Sequence, residues 1–117
     1  MFLTKSALAL GIAAAVGAMT LSLARADILR VAIVEAENDA DFKSNAALLP
    51  TLAELLKKGG AKSVTVGTDA EHKAIGTSTV WASPADLAKV TGSDAWKAEA
   101  AKLKRKAYTA EVFEVAP

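Results

Sequence analysis

Ile28 to Ala36 (ILRVAIVEA) is rich in β-branched residues, and apolar side chains occupy both of its alternating faces: Leu29, Val31 and Ile33 on one, Ile28, Ala32 and Val34 on the other. This pattern predicts a central strand covered on both sides. The polar stretch Asn38-Asp39-Ala40-Asp41 offers helix-capping side chains, after which Phe42, Ala46, Leu49, Ala53 and Leu56 recur at helical spacing. The predicted helix ends at Lys57-Lys58-Gly59-Gly60, where lysines suit the negative end of the helix dipole and a glycine supplies a left-handed stop. Pro50 interrupts the pattern, so either the helix kinks there or a second helix begins.

Ser63 to Thr68 (SVTVGT) predicts a second strand and Ile75 to Ala82 (IGTSTVWA) a third, joined by the polar turn Asp69 to Lys73. Ser83-Pro84-Ala85-Asp86 combines a capping serine, a first-turn proline and an acidic residue, which predicts a short helix over 84–90. Thr91-Gly92-Ser93 interrupts it. Ser93 and Asp94 then cap a longer helix whose buried stripe would be Trp96, Ala100, Leu103 and Ala107, with Lys102, Lys104, Arg105 and Lys106 as a solvated basic end. Thr109 to Val115 (TAEVFEV) predicts a fourth strand.

The resulting order, β-α-β-β-α-β, is that of an α+β, ferredoxin-like domain: a four-stranded antiparallel sheet with both helices on one face. The other face should be polar in a solitary domain of this kind. The first strand is instead apolar on both sides, and the third and fourth add threonine, tryptophan, valine or phenylalanine to each side, so the pattern predicts a homodimer formed through the open sheet face.

The chain has 117 residues, with 14 Lys and Arg against 13 Asp and Glu, a balance that argues against nucleic acid as a partner. Residues 1–26 form a separate unit: Lys5 supplies a basic start, Ala7 to Leu23 is uncharged and apolar, and Ala24-Arg25-Ala26 has a small-x-small cleavage form. A secretory signal cut before Asp27 is expected, leaving 27–117 as one periplasmic or secreted domain with no membrane attachment. The apolar stretch is also close to the lower length limit for spanning a bilayer, so a retained anchor is the competing reading. Cysteine is absent, which removes disulfides, thiolate nucleophiles and Cys-type metal sites. The sole histidine, His72, makes a multi-His metal site within one protomer impossible, and no phosphate loop or dinucleotide fingerprint occurs, so neither metal nor cofactor is expected.

The segment Gly76-Thr77-Ser78-Thr79-Val80-Trp81-Ala82-Ser83-Pro84-Ala85-Asp86-Leu87, followed by Ser93-Asp94-Ala95-Trp96, resembles the dimeric α/β-barrel superfamily. The antibiotic-biosynthesis-monooxygenase and NIPSNAP-like branches are the most similar, Gly60-Ala61 fitting the latter. The resemblance spans the whole domain after residue 26 and implies a dimeric barrel. The superfamily includes cofactor-free quinone-forming monooxygenases, haem-degrading enzymes, isomerases and members without known activity, so it does not select a reaction. Haem degradation is disfavoured. The resemblance would require an asparagine on the first strand and a histidine near Ala100, and of that pattern only the tryptophan, Trp81, is present.

Four residues are candidates for a site. Trp81, ending the third strand, could stack on a planar ligand or pack in the core or dimer interface; Trp96 belongs to a helix stripe and reads as core. His72 could act as a general base, or stand solvated between Glu71 and Lys73. Glu35, with Glu37 beyond it, could reach a cavity as a carboxylate base or serve as an edge charge against aggregation. Tyr108 could donate a hydrogen bond to a ligand or pack where the last helix meets the last strand. The expected function is binding of a small apolar or aromatic ligand, non-catalytic or stress-related. The alternative is a cofactor-independent monooxygenase acting on a polyphenolic or quinol-like substrate.

Overall fold

A computed structural model describes residues 26–116; the expected signal segment lies outside them except for Ala26. The elements run β1 (Ile28–Glu35), α1 (Asp39–Lys58), β2 (Ser63–Asp69), β3 (Ala74–Trp81), α2 (Pro84–Thr91), α3 (Asp94–Ala100) and β4 (Ala107–Glu114). The strands form one antiparallel sheet in the order β2-β3-β1-β4, the arrangement of a ferredoxin-like α+β fold.

Register assigns each side chain to a face, because directly paired residues point the same way. On β1, Ile28, Arg30, Ala32 and Val34 share the helix face with their β3 partners Trp81, Thr79, Thr77 and Ile75. Leu29, Val31 and Ile33 occupy the opposite face with Val80, Ser78 and Gly76. The helices cover the first set as two clusters. Ile28, Leu56, Trp81 and Val90 pack together with Leu87 and Trp96 around them, and Val34, Leu49 and Ile75 pack with Phe42 and Leu103.

α1 is a single helix of 20 residues running through Pro50, whose ring lies on the exposed side. Asn38 caps its start by accepting a hydrogen bond from the Asp41 N–H at 2.9 Å. At its end Gly59 keeps right-handed geometry and Gly60 takes the positive φ, 109°. Glycine at 59 answers a different need: a Cβ there would overlap the Val90 side chain of α2.

The sequence pattern overstates the last helix. α3 has 7 residues and ends at Ala100, and Ala107, expected on its buried stripe, is the first residue of β4. The cationic run from Lys102 to Lys106 is a poor helix continuation, because like charges on neighbouring turns repel. The chain is instead drawn down to the sheet, where the Lys106 N–H donates to the Glu35 carbonyl at 2.7 Å. Trp96 and Leu103 still reach the two core clusters. So short a helix leaves the β4 edge uncovered, and every residue of β4 is exposed. No helix among the described residues is long and apolar enough to cross a membrane.

Candidate functional site

Between the two core clusters the helix face of the sheet carries smaller or polar side chains, and the layers do not close. Arg30 and Ala32 lie between Ile28 and Val34 on β1, and Thr77 lies beside them on β3. Opposite stand Leu52 of α1 with Trp96 and Ala100 of α3. The result is a cleft of about 60 Å³, bounded toward the β4 edge by Arg30, Arg105 and Tyr108.

Three groups at that end converge. The Arg30 guanidinium donates to the Tyr108 hydroxyl oxygen at 2.9 Å, and the Arg105 guanidinium carbon lies 4.9 Å from the centroid of the same ring. Val34 pairs with Tyr108 and Arg30 with Val112, so register holds both partners of the hydrogen bond on the helix face. The residues lining this cleft include no carboxylate and no imidazole. Its chemistry is apolar walls with hydrogen-bond donors at one end.

Of the four candidate site residues, Trp81, His72, Glu35 and Tyr108, the structure brings only Tyr108 to this cleft. Trp81 is wholly enclosed, and its Nε1–H donates to Thr79 Oγ1 at 2.7 Å. It therefore packs with Leu56 and Ile28 and presents no face for a ligand to stack on. His72 lies exposed in the β2–β3 turn, where Nδ1 is 2.7 Å from Asp69 Oδ2 and the backbone N–H donates to Asp69 Oδ1 at 3.3 Å. These hydrogen bonds hold the Asp69 carboxyl below its ordinary range. Asp69, Glu71 and His72 gather in this turn, all of them exposed. Glu35 lies on the open face, paired with Ala74 and Ala107, and Glu37 is exposed beyond the strand.

Arg30 and Arg105 are the residues that sequence reasoning missed. Arg30 carried a signal: it is the one cation in the otherwise apolar stripe Ile28, Ala32, Val34. Arg105 carried none, because it belongs to a basic run that reads as a solvated helix end.

The open face carries a second concavity, a shallow trough of about 420 Å³. Gly67 and Gly76 are paired across β2 and β3 there, so its floor lacks side chains, and Val31 and Ile33 form one wall. Ile33 and Phe113 on this face are 45% and 50% exposed.

No family model matches the sequence, and no curated protein matches it. Solved structures do. A proposed antibiotic biosynthesis monooxygenase from Caulobacter crescentus superposes with a TM-score of 0.68 at 19% identity, over 79% of this chain and 92% of its own. SnoaB, a cofactor-independent oxygenase from Streptomyces nogalater, gives 0.65 at 11% identity, over 80% and 96%. Rv0793 from Mycobacterium tuberculosis gives 0.67 at 15% identity, over 78% and 96%. At such identities the likeness concerns the backbone, and it matches the element order and sheet topology described above. The chain has the ferredoxin-like α+β fold seen in these solved structures.

Proposed function

We propose that this protein is an exported, dimeric small-molecule-binding protein whose ligand occupies the cleft between sheet and helices. The observation that carries the reading is the cleft itself: apolar walls from Leu52, Trp96 and Leu103, with Arg30 and Tyr108 supplying a few convergent polar groups. Export rests on the basic start, apolar core and small-x-small end of residues 1–26. Dimerisation through the open face rests on Leu29, Val31, Ile33, Val80 and Phe113, an apolar set that a solitary sheet would not leave in water. Sedimentation of the purified protein at micromolar concentration tests the dimer. A dimer that Ile33→Lys converts to monomer is expected, and a monomeric parent protein contradicts it.

The second reading is a cofactor-independent monooxygenase acting on a quinol-like substrate, supported by the fold shared with SnoaB. Such chemistry requires a base to remove a substrate proton and a dry site to hold the resulting anion. Arg30 would stabilise that anion, but the cleft lining offers neither carboxylate nor imidazole as the base, which favours binding over turnover. Oxygen consumption with a hydroquinone substrate, measured for the parent protein and for Tyr108→Phe, separates the two readings. Uptake that falls in the variant supports the oxygenase.

A further inference from the structure

We infer that the trough floored by Gly67 and Gly76 on the open face is the socket for Phe113 of a second copy, so that two sheets lock by a reciprocal knob and hole. The inference rests on the reading that the chain dimerises through this face, and it adds the contact that sets how the copies meet. Gly67 and Gly76 stand opposite each other inside β2 and β3, where glycine weakens a strand because it packs nothing and loses more backbone entropy. Nothing within the chain asks for them. Gly60 is the one described glycine with a positive φ, and the β2–β3 pairing runs without a bulge from Ser63 and Val80 to Asp69 and Ala74. A Cβ at position 67 meets no atom within 4 Å, and one at position 76 meets only ordinary contacts at 3.6 and 3.9 Å. A strand glycine free of both constraints marks close approach by a group from outside the chain.

Register points to that group. Phe113 ends a row across the open face with Leu29 and Val80; the glycines lie two rows away beside Ile33, and Val31 and Ser78 lie in the row between. The same face thus carries an aromatic projection, 50% exposed, and a hollow of about 420 Å³ without side chains on its floor. In a two-fold dimer one patch meets itself, so each projection must find a depression elsewhere on that patch. Phe113 is the largest side chain on this face, and both halves of the fit belong to one chain, which makes a second copy the occupant. Charge agrees with this. Glu35 and Asp69 lie in the last row and Glu111 on the edge strand, leaving the centre of the face uncharged inside a polar rim. Reciprocal insertion puts the two-fold axis midway between Phe113 and the glycines, so Val31 lies beside its own counterpart while the two Gly67 positions are far apart.

The test is a double-mutant cycle in the purified protein, with the dimer dissociation constant measured by sedimentation. Gly67→Leu fills the socket without a clash inside its own chain and should weaken the dimer about tenfold while its circular dichroism spectrum is retained. Phe113→Ala should weaken it by about as much. The double variant should dimerise more tightly than either single variant, because the new leucine occupies the space the ring has left. In addition, a short thiol crosslinker should join two copies through Val31→Cys and not through Gly67→Cys, in a chain with no cysteine of its own. Crosslinking decides the case should Gly67→Leu fail to fold. Additive effects of the two substitutions, or crosslinks through Gly67→Cys in place of Val31→Cys, overturn the inference and leave an open-face dimer packed in another way. A parent protein that sediments as a monomer overturns the dimer reading with it.

Discussion

Asn45 and Lys104, 59 residues apart, exchange two hydrogen bonds of 2.8 Å: the Asn45 side-chain amide donates to the Lys104 carbonyl and its oxygen accepts the Lys104 N–H. Asn45, on the inner side of α1, is completely buried, and the pair fixes where the chain leaves α3 and descends to β4. It therefore also sets the position of Arg105 at the mouth of the cleft. Asn45→Leu should lower unfolding stability by about 1–3 kcal/mol, because both Lys104 backbone groups lose their partner. Asn45→Asp should be at least as costly at neutral pH, since a carboxylate cannot donate to the Lys104 carbonyl. Urea denaturation measures both, and unchanged midpoints would remove Asn45 from this role.

Thr79 and Trp81 form a second enclosed polar pair, the indole N–H donating to the threonine hydroxyl with both residues fully buried. Thr79→Val keeps the volume and removes the acceptor. A loss of about 1–3 kcal/mol is expected, with a change in tryptophan fluorescence from the altered indole environment. Because Trp81 does not line the cleft, ligand affinity of the folded variant should stay within about twofold of the parent protein.

Close approach of two helices depends on Gly59. A methyl group there meets Val90 Cγ2 of α2, and Val90 is itself core. Gly59→Ala should destabilise by about 1–3 kcal/mol through overpacking, although alanine accepts the right-handed backbone conformation. The double variant Gly59→Ala with Val90→Ala should recover part of that loss, measured in the same urea series.

The turn pair Asp69 and His72 makes a pH prediction. The Asp69 carboxyl lies below its ordinary value of 3.8, chiefly through the His72 side chain and then its backbone N–H. Its folded-state value being depressed, the stabilisation is present above the unfolded value and is lost as pH falls through the folded one. The group is exposed, so the contribution to stability is small. Carboxyl carbon NMR titration should give a midpoint below 3.8, and His72→Ala should move it upward while leaving the cleft residues unshifted.

Much of the fold was legible in the chain because it depends on local signals. Alternation set the faces of β1, Ser83-Pro84 marked the start of α2, and the capping roles of Asn38 and Ser93 are those seen in the structure. The length of α3 was not fully legible, since the chain beyond it is held to Asn45 and Glu35, partners that lie far away in the sequence. The candidate site was less legible still. Trp81 has the chemistry of a ligand platform, but its burial follows from packing between β1, α1 and α2, which no local pattern reports. Arg105 and Tyr108 become neighbours of Arg30 only through the β1–β4 register.

Native mass spectrometry of the purified protein tests the central claim most directly, because it reports assembly and contents together. The expected result is a dimer whose mass exceeds twice the chain mass by one small molecule per cleft, released on mild activation. An empty monomer would contradict both the covered sheet face and the cleft as a ligand site.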